Sequence, residues 1–247
     1  MLTSDLHQTA AILVIGNEVL SGRTREANAY FAAQKLFEKG CKLSEIAIVP
    51  DIKGDIIDTL HRLRHSYDAV ITSGGIGPTH DDITMDAIAE SFDVQLLEHQ
   101  DTIIKLHEYY GDAINSGRRR MARLPETAKP IICEKSFMPG AHIGNVYVLA
   151  GVPEIFASQL ETFLNHFGGR PYIRHEIEVS LPESLFAEAL ESIQAHFPDV
   201  EIGSYPRLCG KKACGKICLS AQDESLLYQA KERVNIMLND IHSASQD

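Results

Sequence analysis

Ser73-Gly74-Gly75-Ile76-Gly77-Pro78-Thr79-His80-Asp81-Asp82-Ile83-Thr84 decides the fold of this chain. It directly follows the short apolar run Ala69–Thr72, which reads as a buried strand, and it leads into a helix expected over Thr79–Phe92. Glycines between a strand and a helix let backbone amides approach a ligand and point the same way, and the helix N-terminus adds partial positive charge. Strand, glycine loop and helix in that order make an anion site, with Ser73, Gly74, Gly75, Gly77, Thr79 and Thr84 around it. A tight turn capped by Thr79 or Asp81 would look the same on the glycines alone. The loop lacks the Gly-Lys-Ser/Thr ending of a P-loop and is not G-x-G-x-x-G, so neither an NTPase nor a dinucleotide fold is supported.

Upstream, strand-length and helix-length segments alternate. Ala10–Gly16 is a continuous apolar run, and Glu26–Lys39 carries apolar residues at helical spacing and stops at Gly40. Lys42–Val49 reads as a second strand and Ile52–Arg64 as a second amphipathic helix. Such alternation with short loops predicts an α/β fold on a parallel sheet, whose ligands bind beyond the carboxyl ends of the strands. Gly16-Asn17-Glu18 follows the first strand there, and Asn28 can point back to the same edge or lie on the surface. Asp51, just past the second strand, can hold a metal, bind a ribose hydroxyl or cap the following helix. Asp81 and Asp82, read in the first helical turn, would repel a phosphate in the loop unless a cation stood between them. Mg²⁺ held by one or two carboxylates plus substrate phosphates is the ordinary solution.

Downstream, a helix is expected over Glu98–Tyr110, a strand over Asn145–Ala150 and a helix over Pro153–Phe167. Asn115-Ser116-Gly117-Arg118-Arg119-Arg120-Met121-Ala122-Arg123 concentrates arginines whose planar forks suit phosphate, with Arg118 or Arg120 favoured to reach a ligand. Met138-Pro139-Gly140 and Gly151-Val152-Pro153 bracket the late strand. Gly168-Gly169-Arg170-Pro171 marks a boundary between domains at 1–169 and 170–247, the second a small α+β unit. There Cys209, Cys214 and Cys218 have no zinc-knuckle spacing and read as free thiols along a hairpin. The histidines are dispersed and define no triad; His80 alone lies near the site.

The formal net charge of −11 over 247 residues argues against general nucleic-acid binding. No apolar run is long enough to span a membrane and the N-terminus does not read as a signal peptide, so a cytoplasmic protein without a membrane partner is expected.

In order along the chain, Gly16-Asn17-Glu18, Asn28, Val49-Pro50-Asp51, Gly-Pro-Thr-x-Asp-Asp-x-Thr at 77–84, Asn115 to Ala122, Met138-Pro139-Gly140 and Gly151-Val152-Pro153 resemble the molybdopterin-binding (MoaB/Mog) family. They are most similar to the amino-terminal domain of CinA proteins, over about residues 10–167. The resemblance implies a three-layer molybdopterin-binding fold and a pocket for a nucleotide or pterin, with molybdopterin among the ligands it would take. It implies Mg²⁺ or another divalent cation at Asp82 and Asp51, and a homo-oligomer, dimer or trimer. The expected activity is pyrophosphate cleavage of ADP-ribose-like or FAD-like nucleotides, with Asp82, Asp81 and Asp51 as catalytic residues. The alternatives are pterin binding with adenylyl transfer, or a non-catalytic nucleotide-binding regulator. Glu126-Thr127-Ala128 and Cys133-Glu134-Lys135-Ser136-Phe137-Met138 depart from the family pattern, and 247 residues leave no room for the deamidase domain of full CinA.

Overall fold

A computed structural model describes residues 6–209 and 212–244. The chain forms two compact units, 1–169 and 170–247. The first runs β1 (Thr9–Ile15), α1 (Asn17–Leu20), α2 (Asn28–Lys39), β2 (Lys42–Val49), α3 (Lys53–Ser66), β3 (Ala69–Ser73) and α4 (Thr84–Ser91). It continues with β4 (Leu96–Glu98), α5 (Gln100–Tyr110), α6 (Ser116–Arg120), β5 (Arg123–Pro125), β6 (Lys129–Cys133), β7 (Ser136–Ile143), β8 (Val146–Leu149) and α7 (Pro153–Phe163).

Six strands form one sheet in the order β2-β1-β3-β8-β7-β6. The first four are parallel, and β7 and β6 return antiparallel at one edge. The sheet is therefore mixed, not wholly parallel as the sequence pattern predicts. The β6–β7 hairpin and the small β4–β5 pair carry no strong alternation by which to recognise them.

Strand β1 is apolar from Ala10 to Ile15 because both its faces are covered there. One face joins Ile12 and Val14 to Ala32 and Leu36 of α2 and Phe156 and Leu160 of α7. The other joins Leu13 and Ile15 to Ile56 and Leu60 of α3 and Ile88 of α4. Three layers result. The chain leaves β1 towards β2 on one side and crosses back to β3 on the other, so the sheet changes direction between β1 and β3. That switch point, at the carboxyl ends, is where open α/β sheets bind ligands.

The second unit has β9 (Ile173–Val179), α8 (Ala187–His196), β10 (Glu201–Cys209), β11 (Lys212–Ala221) and α9 (Glu224–Ala244). Its antiparallel sheet, in the order β10-β11-β9, packs Ile217 and Leu219 against Ile193 of α8 and Leu227, Ala230 and Val234 of α9. The free-thiol reading of this hairpin is corrected at Cys214, which is disulfide-bonded. Cys218 is a free thiol, and the side chain of Cys209 lies outside the described residues.

Histidines dispersed in sequence also gather in space. Tyr147, 1% exposed, places its hydroxyl 3.1 Å from His7 Nε2 and 3.0 Å from His166 Nδ1, and His142 stacks on its ring at 4.2 Å. Burial holds the His7 and His142 imidazoles below the ordinary value of 6.5, outweighing the pull of Asp68 on His7, while Lys129 also disfavours charge on His142. The unfolded chain thus takes up protons that the folded unit refuses. The resulting stabilisation is present above about pH 6.5 and is lost as the pH falls through the depressed folded values. The melting temperature should be lower at pH 5 than at pH 7, by about 2–4 °C per kcal/mol lost. Because carboxylates also titrate in this range, the informative comparison is His142→Phe, which should flatten the dependence; an unchanged slope would remove His142 from the account.

Candidate functional site

The parallel strands β1, β2, β3 and β8 send their following loops to one edge, and the antiparallel β7 starts there. This brings together Gly16–Glu18, Asp51, Ser73–Asp82, Gly151–Pro153 and Pro139–Gly140 from across the sequence.

Backbones meet at the centre of this edge. Gly74 has φ +103°, and a Cβ there would lie 2.3 Å from Ile15 O; a Cβ on Gly151 would lie 3.2 Å from Gly74 Cα. Gly75 has φ +67°, and its Cβ would meet Thr84 Oγ1 at 2.2 Å. Both conformations favour glycine, and neither position has room for a side chain.

Buried polar side chains hold the loop from behind. Asn28, 6% exposed, donates to Ser73 Oγ at 2.8 Å and to Gly151 O at 2.9 Å. It does point to this edge, as an internal tie and not as a surface amide. Thr84 Oγ1 donates to Gly74 O at 2.9 Å, and the Thr84 amide donates to Gly75 O at 3.0 Å. Gly16 and Gly74 give their own amides to Val49 O and Leu149 O, continuing the sheet. Among the described residues none accepts from the amides of Gly75, Ile76 or Gly77, and these are the loop's available donors.

The following helix starts at Thr84, five residues later than the sequence predicts. Asp81 and Asp82 therefore lie in a turn before it, not in its first turn. Thr79 replaces them as the organising residue. Its amide donates to Asp82 Oδ2 at 2.8 Å, and its hydroxyl lies 2.5 Å from that oxygen and 2.6 Å from Asp81 Oδ1. Hydrogen bonding to Thr79 holds the Asp81 carboxyl below its usual range. His80 projects into solvent, 95% exposed, with Nδ1 3.9 Å from Asp81 Oδ1.

Asp51 accepts the Asn17 amide at 2.8 Å and so caps α1; the helix after it, α3, has no side-chain cap. Glu18 folds back over Gly16, its carboxylate 2.5 Å from where a Cβ would stand. Among the described residues no three or more His, Cys, Asp or Glu side chains form a metal-holding group. The available set is carboxylate and hydroxyl oxygen from Asp81, Asp82 and Thr79, with Asp51 on a separate loop. Such hard donors fit Mg²⁺, which takes one or two carboxylates and completes its shell with water and phosphate.

The arginines separate as the geometry of a short helix requires. Asn115 caps α6 by accepting the Arg118 amide at 3.0 Å. Arg120 donates to Thr79 O and so reaches the glycine loop, and a Cβ on Gly117 would lie 3.2 Å from Pro78 O. Arg118 turns the other way, donating to Ala113 O and lying 3.8 Å over the Tyr110 ring. Arg119 pairs with Glu98 at 2.6 Å and Arg123 with Asp86 at 3.2 Å. Of the two arginines favoured from sequence, only Arg120 touches the loop. At the far side of the edge, Gly140 lies where a Cβ would stand 2.4 Å from Val148 O, and Pro153 opens α7 in its first turn. Tyr109, Tyr110 and Phe137 beside α6 carried no recognisable motif.

Residues 11–175 match the model of a family described as a probable molybdopterin binding domain, and residues 171–247 match the FAD synthase middle domain. A protein of Pyrococcus furiosus is 32% identical over 240 residues, covering 90% of this chain and 94% of its own length. A probable FAD synthase of Caenorhabditis elegans is 30% identical over 89% of this chain, which spans 48% of that relative. The crystal structure of the protein CinA from Thermoplasma acidophilum superimposes with a TM-score of 0.60 at 29% identity, over 64% of this chain and 96% of the other.

Asn28→Ala should destabilise the first unit by about 2–3 kcal/mol, because Ser73 Oγ and Gly151 O lose a buried donor. Urea unfolding followed on wild type and variant would show this as a lower midpoint at unchanged slope. Equal midpoints would mean that the tie contributes nothing to the fold.

Proposed function

The chain belongs to the molybdopterin-binding-domain family of MoaB/Mog type, CinA-like in its first unit, and from that premise we propose a divalent-metal-dependent nucleotide pyrophosphatase acting on ADP-ribose- or FAD-like diphosphates. The carrying observation is the Thr79 hydroxyl in contact with both the Asp81 and Asp82 carboxylates beside the glycine loop. A hydroxyl has one proton and can donate to only one of them. A cation shared by the two carboxylates, with the hydroxyl oxygen as a neutral neighbour, would resolve that arrangement and attract a diphosphate.

In this reading Asp82 and Asp81 hold the ion, with Asp51 facing the same edge. When bound, Mg²⁺ would neutralise the diphosphate and polarise the attacked phosphorus. The amides of Gly75, Ile76 and Gly77 bind non-bridging oxygens as preorganised donors. Arg120, fixed on Thr79 O, has further N–H groups for the second phosphate. Water adds to the adenylyl phosphorus as the bond to the bridging oxygen breaks. The electron pair leaves on the other phosphate, and FAD and water become AMP and FMN. In this reading the water's proton passes to solvent.

Adenylyl transfer to a flavin or pterin phosphate is the second reading. It is favoured by the match of residues 171–247 to an FAD synthase domain, and it would use the same loop for molybdopterin or FMN.

ADP-ribose, FAD and ATP plus FMN, each with Mg²⁺, Mn²⁺ or EDTA, separate these readings by chromatography of the products. AMP released from ADP-ribose or FAD only with metal is expected; FAD formed from ATP and FMN would favour transfer instead. Asp82→Asn, which keeps an oxygen for the Thr79 amide, should lower turnover by about two orders of magnitude or more at an unchanged melting temperature. Unchanged turnover would remove Asp82 from the metal role.

A further inference from the structure

We infer that His7, Tyr147 and His166 form a proton-operated latch, which holds the segment Leu6–Gln8 against the end of the first unit and releases it once both imidazoles carry a proton.

The segment leads into β1 at the amino edge of the sheet, opposite the candidate site. Its backbone is tied on two sides. The His7 amide donates to His166 O at 2.9 Å, and His7 O accepts from the Gly168 amide at 3.1 Å. The Gln8 and Thr9 amides share Asp68 Oδ2 at 3.0 and 2.8 Å. Burial raises the Asp68 carboxyl, but the hydrogen bonds from Thr9 and Gln8 outweigh it and hold the group below its usual range, so this tie stays anionic between pH 5 and pH 7.

The His7 side chain is the part of the segment that titrates. Tyr147, itself buried, places its hydroxyl between His7 Nε2 and His166 Nδ1, at 3.1 and 3.0 Å. A hydroxyl has one proton, so it donates to one of these nitrogens and accepts an N–H from the other. His166 is exposed and His7 half-buried, which makes His166 the site of the first proton. Its Nδ1–H then donates to the Tyr147 oxygen, the Tyr147 proton points to His7 Nε2, and both bonds survive.

A second proton, on His7 Nε2, breaks this pattern. Two N–H groups then face one oxygen, the Tyr147 proton loses its acceptor inside the fold, and two positive charges flank one hydroxyl. Of the neighbouring charged groups, Asp68 favours the charge on His7 and His166 opposes it. His142 stacks on the Tyr147 ring with its Nε2 3.0 Å from Gly144 O, and Lys129 acts on His142 as a further cation. Moving the His7 ring into water removes the conflict. Ring and backbone leave together, because the ring packs on Phe167 at 5.2 Å while the same two residues form a β-bridge. Burial holds the bound His7 imidazole below its ordinary value, which it regains when released, so falling pH favours the open segment.

Hydrogen exchange on the full chain at pH 7 and pH 5, corrected for intrinsic exchange rates, tests the latch through peptides covering residues 6–10 and 69–73. In wild type, protection of 6–10 should fall by about tenfold or more at pH 5, while that of 69–73 in β3 stays unchanged. His166→Gln gives Tyr147 an acceptor that does not titrate, so His7 can charge without conflict and the protection of 6–10 should be the same at both pH values within about twofold. His7→Gln, which removes the titrating ring, should be equally insensitive, and either variant answers if the other is already unprotected at pH 7. Wild-type protection unchanged at pH 5 would overturn the latch. So would an equal fall in wild type and in the variants, which would assign the effect to other groups. A parallel loss in both peptides would overturn it too, since the whole unit would then be opening.

Discussion

The contact on which the first unit depends is the approach of three backbones at the carboxyl ends of β1, β3 and β8. Gly74 lies so close to Ile15 O and Gly151 that any side chain on it would collide with main chain. Main chain cannot yield as a flexible side chain can, so the positions of three loops are set by one missing Cβ. Asn28 fixes the same junction from α2, through Ser73 on one strand end and Gly151 beyond another. The loop rests on this scaffold, in which the Asn28 side-chain amide and the Ser73 and Thr84 hydroxyls are hydrogen-bonded. What remains open, the amides of Gly75 to Gly77 and the turn built on Thr79, faces outward over it.

This arrangement separates two kinds of residue that a motif lists side by side. Thr84, Asn28, Gly16 and Gly74 spend their hydrogen-bonding groups inside the fold. Asp81, Asp82 and Arg120 lie on the outer side, tied to Thr79 and to one another through it. These charged groups are held in place by hydrogen bonds to a single residue, Thr79.

Much of the fold was legible in the sequence because burial on both faces leaves a strand such as β1 apolar from Ala10 to Ile15, and helices packed on one face keep a 3.6-residue period. The β6–β7 hairpin was not, since strands at a sheet edge, partly exposed, carry mixed residues. The start of α4 was also misplaced. Thr79 and Asp81 look like a helix cap by type, yet their hydrogen bonds close a separate turn, and Thr84 is the residue that anchors the helix to the loop.

The sequence by itself determined the strand–loop–helix order, the glycine loop, the family and the residues gathered at one sheet edge, because these follow from local patterns of apolar spacing, glycine and turn chemistry. Only the tertiary structure decided which face each side chain presents. It turned Arg120 towards the loop and Arg118 towards Tyr110, buried Asn28 as a tie, gathered three histidines on Tyr147, and brought Tyr109 to Phe137. The physical reason is that such contacts join residues far apart in the chain. Their partners are set by how the layers pack, and no local period in the sequence records them.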